Sequence, residues 1–151
     1  MERDTDEANQ YVEKLKTGWK GNSVTDAWIS ENLAWIYQEA GLVDKAEAYY
    51  RKVHSIDPEN HFFLNDLAAL LIAKDLDISA GLELIDKALE LSPDHYEYLD
   101  TKGWALNKLG KYQEALEILQ KSWDLRMKNA VYSHHAFLNL EAAKKAVAAQ
   151  N

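Results

Sequence analysis

The chain has 151 residues and a formal net charge of −8, from 17 basic and 25 acidic side chains. An acidic chain without a basic stripe lacks the cations that neutralise phosphate groups, which argues against nucleic-acid binding and against docking on anionic lipid. No cysteine is present, so disulfides and thiolate metal sites are excluded. No apolar run approaches the roughly 18 residues of a membrane span, and the charged start has no signal-peptide h-region. The compartment stays open between the cytoplasm and, after removal of a leader, the periplasm.

Hydrophobic periodicity predicts eight helices. The first covers residues 5–17, where Ala8, Tyr11, Val12 and Leu15 lie on one stripe, and a loop with two glycines follows at 18–25. Three helix pairs and a last helix come next, at 27–40 with 44–56, 61–74 with 79–91, 96–109 with 112–125, and 130–148.

Local signals mark the ends of these helices. Gly41 and Gly110 follow first helices of a pair, where a left-handed C-cap favours glycine. Pro58 and Pro93 follow second helices, because the residue before a proline is pushed out of the α region. The third pair has no such proline, so we expect a softer break there, with Asn129 as N-cap of the last helix.

The three helix pairs repeat one sequence pattern. The stretches 33–58, 67–93 and 102–127 can be aligned with a single one-residue insertion, which gives a period of 34 to 35 residues. A period of about 34 residues is the signature of a helix–turn–helix solenoid, in which each unit buries its apolar face against its neighbours. Small residues recur where the two helices of a pair are expected to cross: Ala34, Ala68, Gly103, Ala46, Gly81 and Ala115.

This pattern resembles the tetratricopeptide repeat family. The residues that carry the resemblance in the first repeat are Leu33, Ala34, Tyr37, Gly41, Ala46, Tyr50 and Pro58, and in the third repeat the stretch from Gly103 to Ala115. The match covers residues 27–127 as three repeats, and the segment from Tyr98 to Leu106 looks like bacterial members. The resemblance implies an all-α fold, an α-α superhelix or solenoid of three helix pairs.

We expect five segments along the chain: an N-terminal helix and loop (1–26), repeats at 27–60, 61–95 and 96–129, and a C-terminal capping helix (130–151). The first helix has Ala8 and Val12 in the columns of Ala46 and Tyr50, so it resembles the second half of a preceding repeat. Two interpretations stay open, namely that the chain is the C-terminal part of a longer array or that this helix is an N-terminal cap.

The resemblance also implies a binding face, because in this family the first helix of each pair lines a concave surface. The outer stripes of these helices carry aromatic, amide and acidic side chains. The candidate peptide- or partner-binding residues are Trp28, Glu31, Asn32, Trp35, Phe62, Asn65, Asp66, Glu97, Asp100, Trp104 and Asn107. The last helix adds His134, His135, Leu138 and Glu141.

Aromatic side chains flanked by polar groups are typical of binding hot spots, and asparagines can hydrogen-bond a peptide backbone with both donor and acceptor. The carboxylates favour a basic or apolar partner over an acidic one. Two other interpretations stay open: Trp35 and Trp104 pack against a neighbouring helix, and the carboxylates form a solvated surface. Chaperone-binding members grip a C-terminal carboxylate with Lys, Asn and Arg in columns that here hold Glu31, Trp35, Asp66, Glu97 and Thr101, so that activity is not expected.

The sequence holds no catalytic constellation, phosphate-binding loop or cofactor motif. His134 and His135 point about 100° apart on a helix, so they do not chelate one metal ion as an i, i+4 pair would. His54, His61 and His95 fall near helix ends, where a surface or capping role is the default.

We therefore predict a non-catalytic scaffold that binds a peptide or partner helix of another protein in its groove, with roughly micromolar affinity. No cofactor and no metal are expected. The alternative is a self-associating structural or regulatory domain of a larger multi-repeat protein, which would form homo-oligomers.

Overall fold

The computed structural model describes residues 2–20 and 25–150, with side chains for 9–19 and 25–150. This described part is helical and contains the eight expected helices. Their bounds are α1 Glu2–Lys20, α2 Asp26–Glu39, α3 Val43–Ile56, α4 His61–Ala73, α5 Ile78–Leu91, α6 Tyr96–Lys108, α7 Tyr112–Lys128 and α8 His134–Ala148. None of these helices has the length and apolar content needed to cross a membrane. We call α2, α4, α6 and α8 the first helices, and α3, α5 and α7 the second helices.

The start of the chain is more helical than the sequence predicts. α1 continues through Gly18 and Trp19 to Lys20, where a loop is expected, and residues 21–24 of that loop lie outside the described residues. The indole of Trp19 contacts that of Trp28 edge to face, with ring centroids 5.1 Å apart. This contact ties the end of α1 to the start of α2, because aromatic pairs favour such edge-on geometry.

The predicted N-cap role of Asn129 is wrong. Asn129 is the C-cap of α7, which runs three residues further than expected, and its amide donates to the carbonyl of Leu125 at 2.7 Å. α8 begins at His134 and is capped by Ser133, whose hydroxyl accepts a hydrogen bond from the Ala136 N–H at 3.3 Å. Ser133 stands directly before α8, so its hydroxyl satisfies a free N–H group of the first turn. Asn129 lies four residues earlier in the chain and does not cap that turn.

Four helices end on the same left-handed turn, at Gly41, Asp75, Gly110 and Ala130. In each turn the following N–H donates back to a carbonyl five residues earlier, as Leu42 does to Tyr37 at 2.8 Å. The expected glycine C-caps are thus confirmed. A left-handed backbone costs more conformational free energy at Asp75 than at a glycine. The Asp75 carboxylate also forms an ion pair with the Lys108 ammonium, 2.6 Å away.

The helices form two compact units, one up to Pro58 and one from Glu59 onward. In the first unit α2 and α3 pair closely and α1 packs against α2. Its buried apolar side chains include five that carry the repeat pattern, Leu33, Ala34, Tyr37, Ala46 and Tyr50, together with Val12, Ile29 and Val53.

The second unit contains two helix pairs, α4 with α5 and α6 with α7, and α8 packs against α7 and α6. Its core consists of two clusters. One contains Leu64, Ala68, Ile72, Ile85, Ala88, Tyr98 and Ala105, and the other contains Leu106, Ala115, Leu119, Leu140 and Ala143. The first helices α4, α6 and α8 lie side by side in this unit, because α4 contacts α6 and α6 contacts α8.

Small residues at the helix crossings set the distance between paired helices. A Cβ atom on Gly103 would lie 2.5 Å from Cγ of Leu119, and one on Gly81 would lie 2.8 Å from Cγ1 of Ile72. Both distances are shorter than van der Waals contact, so these helices approach as closely as a glycine backbone allows. The predicted role of the small-residue columns is confirmed.

We expect Gly103→Ala to lower the free energy of unfolding by about 1–3 kcal/mol, because the new methyl group overlaps the buried Leu119 side chain. Urea unfolding followed by far-UV circular dichroism measures the loss. Gly18→Ala is the matched control, since no atom lies within 4 Å of its Cβ position in α1. There the helix propensity of alanine should stabilise by about 0.5–1 kcal/mol. Equal effects of both substitutions would contradict close packing at Gly103.

Candidate functional site

The first helices of the second unit present an exposed apolar side chain at each end of their common face. Phe62, the second residue of α4, is 56% exposed, and Leu138, the fifth residue of α8, is 49% exposed. The backbone N–H of Phe62 donates to the Asn60 side chain at 3.2 Å, which caps α4 and fixes where its first turn begins. An exposed aromatic ring on a capped helix start is a rigid contact point.

Phe62 rests on a cluster of rings that the sequence analysis did not single out. The Nδ1 atom of His61 lies 2.6 Å from the Tyr98 hydroxyl, and the rings of His95 and Tyr98 stack with centroids 3.8 Å apart. Phe62 meets His95 and Tyr98 edge to face at 6.2 and 6.5 Å. These contacts hold one side of the Phe62 ring against the cluster and leave its other side exposed to solvent.

Burial has opposite effects on the pKa values of this cluster. It lowers the pKa of His95, because the charged imidazolium is poorly solvated there and lies near Arg126 and His61. It raises the pKa of Tyr98, and burial together with the nearby Asp66 and Glu97 carboxylates brings that pKa to about 12. Burial thus favours the uncharged form of both rings.

Trp104 of α6 is half-buried between the core and the common face. Its ring packs against the first core cluster, and its edge meets the ring of His135 on α8 at 6.2 Å. The Lys108 ammonium lies over the indole, 5.4 Å from the ring centroid. Trp104 therefore packs against a neighbouring helix, as one interpretation of the sequence predicts, and also keeps part of its surface exposed.

Two of the three candidate asparagines already form hydrogen bonds within the protein. Asn32 donates to the carbonyl of Trp28 at 2.8 Å, and Asn65 accepts from the Thr101 hydroxyl at 2.9 Å. The Oδ1 atom of Asn107 is buried without a hydrogen-bond partner among the described residues. Each of these side-chain amides therefore has at least one polar atom that a ligand cannot reach. This reduces their capacity to act as both hydrogen-bond donor and acceptor for a ligand, which the sequence predicts.

The acidic candidates fall into two groups. Asp66 is half-buried and Glu97 is exposed, and both lie close enough to Tyr98 to raise its pKa. Asp100 points inward instead: its carboxylate accepts from the Ser122 hydroxyl at 2.6 Å and from Nε of Arg126 at 2.9 Å. Its charge is matched by the buried guanidinium, so it adds little negative potential to the face.

The buried guanidinium links α7 to two residues of α6. The Nη2 atom of Arg126 lies 2.5 Å from Asp100, and its Cζ lies 4.4 Å from the ring centre of Tyr96. The side chains of Arg126 and Asp100 are 8% and 14% exposed, which makes them the least exposed ion pair in the described part of the chain. This pair acts in helix packing, because two charges this poorly solvated must stay together.

The remaining candidates lie on α2 in the first unit. Trp35 is 58% exposed, and Trp28 is 41% exposed with its ring held against Trp19. Glu31 is half-buried, and this burial raises its pKa. The exposure of Trp35 favours a surface role for this residue over packing.

The repeat columns contain no signal for this ring cluster. The first helices α4 and α6 are offset by 35 residues, as Ala68 and Gly103 show, so His95 lies one residue before the column of His61. His61 is the first residue of α4, whereas His95 is the N-cap of α6. Tyr98, the hydrogen-bond partner of His61, lies 37 residues away from it, so only the packing of α4 against α6 shows the contact.

The geometry so far defines a class of helical repeat proteins built from paired helices with small residues at their crossings. Two tetratricopeptide repeat models match the sequence, at residues 30–60 and 84–117. The chain belongs to the tetratricopeptide repeat family, and the all-α fold class predicted from sequence is confirmed. No curated protein sequence matches the chain significantly.

Solved tetratricopeptide repeat structures share the fold at low sequence identity. The Sgt2 domain from Aspergillus fumigatus is 19% identical to this chain with a TM-score of 0.73, and the alignment covers 82% of this chain and 80% of that one. The TPR2B domain of yeast Sti1, solved as a complex with pHsp70, is 20% identical with a TM-score of 0.71, and the alignment covers 79% of this chain and 96% of that one. The first repeat domain of Spaghetti (RPAP3), bound to the HSP90 peptide SRMEEVD, is 20% identical with a TM-score of 0.71, and the alignment covers 81% of this chain and 93% of that one.

We expect Arg126→Met to lower the free energy of unfolding by about 3–5 kcal/mol, because it leaves the Asp100 carboxylate poorly solvated and without its counter-charge. Lys121→Met is the matched control. Its ion pair with Asp94, at 2.9 Å, is exposed on both sides, so at most about 1 kcal/mol should be lost. Urea unfolding of the two variants measures the difference, and equal losses would show that the buried pair contributes no more than a surface pair.

Proposed function

We propose that this chain is a non-catalytic protein-interaction module that binds a peptide or helix with basic and apolar side chains. The observation that carries the proposal is the common face of α4, α6 and α8, on which apolar anchors stand beside carboxylates. The tetratricopeptide repeat neighbours that were solved with chaperone peptides support the general role. The charge of the face argues for a different ligand.

The apolar anchors are well suited to a hot spot. Phe62 is supported by the rings of His95 and Tyr98, and Trp104 is supported by the core, so neither ring must be ordered when a ligand arrives. Pre-ordered aromatic side chains contribute more to affinity because less conformational entropy is lost on binding. Leu138 on α8 extends the apolar surface to the third helix.

The charges of the face are unbalanced. The two lysines of α6 are engaged, since Lys102 lies 2.6 Å from Asp86 and Lys108 lies 2.6 Å from Asp75. The carboxylates of Asp66 and Glu97 therefore dominate the potential near Tyr98. Complementary charge favours a lysine or arginine of the ligand beside Phe62 and disfavours an acidic tail.

The first unit contributes a second set of candidates in this proposal. Trp35 and Trp28 offer apolar surface on α2, and Glu31 and Asn32 stand beside them on the same helix. The proposal keeps these four residues as partner-binding residues of the first unit by itself.

A peptide library displayed on phage tests the ligand class. We expect selection against the chain to enrich peptides that combine Lys or Arg with Trp, Phe or Leu, and calorimetry of the enriched peptides to give roughly micromolar affinity. Phe62→Ala should weaken their binding by about 2 kcal/mol, roughly 30-fold, because it removes the exposed anchor.

Leu91→Ala is the matched control for that substitution. It removes a side chain of similar exposure from the second helix α5, so peptide affinity should stay unchanged. If the library yields no enriched peptide, or if the enriched peptides bind Phe62→Ala and the original chain equally well, the proposed face is not the binding surface.

The HSP90 peptide SRMEEVD gives a direct test of charge preference. We expect it to bind at least about tenfold more weakly than the counterpart SRMKKVK, because Asp66 and Glu97 repel its acidic residues. Glu97→Lys should narrow the difference, whereas Glu90→Lys on α5 should leave it unchanged. Fluorescence anisotropy of labelled peptides provides the affinities. Tighter binding of SRMEEVD would show that this chain shares the acidic ligands of its structural neighbours.

A further inference from the structure

The ring cluster of the second unit, formed by His61, Phe62, His95 and Tyr98, contains an unpaired polar atom. The Nδ1 atom of His95 is buried and has no hydrogen-bond partner among the described residues. The same atom of His61 is paired, because it lies 2.6 Å from the Tyr98 hydroxyl. The two histidines of the cluster therefore differ, since one has a hydrogen bond at this atom and the other is held by ring contacts.

These ring contacts make His95 a support for the exposed anchor. Its imidazole stacks on Tyr98, with centroids 3.8 Å apart and ring planes 11° from parallel, and it meets Phe62 edge to face at 6.2 Å. Tyr98 is almost completely buried, whereas Phe62 is exposed on the common face. His95 thus links a buried ring of α6 to the exposed ring of α4.

A proton on His95 would place a donor at the unpaired atom. The neutral imidazole carries one N–H and can leave Nδ1 bare, but the imidazolium carries an N–H at both nitrogens. A buried N–H without an acceptor costs free energy, and so does a buried charge. The Tyr98 ring attracts a stacked cation, but its face offers no acceptor to that N–H.

Positive groups around His95 also oppose the proton. His61 of α4 and Arg126 of α7 both act against a positive charge on the ring. His95 is the N-cap of α6 and His61 is the first residue of α4, so both rings lie at the positive ends of helix dipoles. Burial has the largest effect, and together with these two groups it lowers the pKa of His95 from its ordinary value of 6.5. The ring contact of α8 with α6, between His135 and Trp104, lies nine residues further along α6.

The carboxylates near His95 compensate only in part. Glu97, on the same helix, favours a proton on the ring. Asp94, the preceding residue in the chain, already forms an ion pair with Lys121 of α7 at 2.9 Å. Asp66 of α4 acts on the tyrosine of the cluster. The stacked position of the ring is therefore better suited to a neutral His95 than to a charged one.

His95 also borders an open groove of about 620 Å³. The end of α5 contributes the uncharged residues Leu91 and Ser92 to this groove, and Asp94 and Asn129 line it as well. A charged imidazole that turns into the groove reaches water and comes near the Asp94 carboxylate. The ring thus has a solvated alternative to its stacked position.

We propose that His95 is a proton-sensitive latch of the ring cluster. When its imidazole takes up a proton, it leaves the stack on Tyr98 and turns into the groove, and Phe62 loses one of its supporting rings. The contact of α4 with α6 loosens at the same point, because Tyr98 is no longer covered. The latch is closed at neutral pH and opens in mild acid.

Nuclear magnetic resonance of the full chain over about pH 5–8 tests the latch. The chain has three phenylalanines, so carbon-13 labelling of phenylalanine gives a simple spectrum, in which Phe62→Leu identifies the Phe62 signal. We expect His95 to titrate below 6.5 and the Phe62 signal to shift with the same midpoint, because the ring current of His95 is lost. The nuclear Overhauser effect between these two rings should disappear in acid.

His95→Phe separates the latch from other effects of pH. The variant keeps an aromatic ring on Tyr98 but cannot take up a proton, so the Phe62 signal should no longer respond to acid. His134→Phe is the matched control, because it removes an exposed histidine of α8 and should leave the response intact. If His95→Phe does not fold, the two midpoints measured in the original chain decide the question by themselves.

Urea unfolding gives a second measurement. The unfolded chain takes up this proton near pH 6.5, before the folded protein does, so the folded state is stabilised above that pH. This stabilisation is lost as the pH falls from there through the lower pKa of folded His95. We expect the urea midpoint to fall between about pH 7 and about pH 5.5, and to fall less in His95→Phe than in His134→Phe.

Three results would overturn the proposal. They are a His95 ring that titrates at or above 6.5, a Phe62 signal that stays constant or follows His61, and a Phe62 response that persists in His95→Phe. None of these measurements uses a peptide, so the latch and the proposed peptide site are tested separately.

Discussion

The close approach of paired helices is the constraint on which the rest of the structure depends. Gly103 leaves no room for a methyl group against Leu119, and Gly81 leaves none against Ile72. At this distance the larger side chains on either side of the crossing interlock and exclude water, as tightly packed interiors require. The first helices α4, α6 and α8 then lie side by side, and the positions of Phe62, Trp104 and Leu138 on one face follow from that spacing.

Inward contacts decide which polar residues of that face remain for a ligand. Asp100 is held by Ser122 and Arg126, and Asn65 is held by Thr101. These bonds join α6 to α7 and α4 to α6, so they stabilise the packing of the repeats. The carboxylates of Asp66 and Glu97 lie close enough to Tyr98 to raise its pKa, and in the proposed function they give the face its acidic character. The proposed binding surface therefore disfavours an acidic chaperone tail.

Most of the fold could be predicted from sequence. The helix pairs, their glycine C-caps at Gly41 and Gly110, and the small-residue columns follow from patterns within a few residues or from the repeat period. The misplaced boundaries lie at the two ends of the repeat array. Asn129 stands between α7 and α8, and asparagine is favourable both at the start and at the end of a helix. The sequence alone therefore does not show which of the two helices it caps. At Gly18 the helix continues because Trp19 gains a contact with Trp28, which local propensity does not include.

The sequence by itself determined the repeat, the apolar columns and the residue types on the first helices, because each of these depends on spacing along the chain. The tertiary structure decided what each polar group does. It turned Asp100 inward, bonded Asn65 to Thr101, and gathered His61, His95 and Tyr98 against Phe62. The physical reason is that a buried polar group must find a partner, and here the partners lie 22 to 37 residues away on another helix. Periodicity fixes which face of a helix a side chain occupies, but only the packed helices determine which atoms meet there.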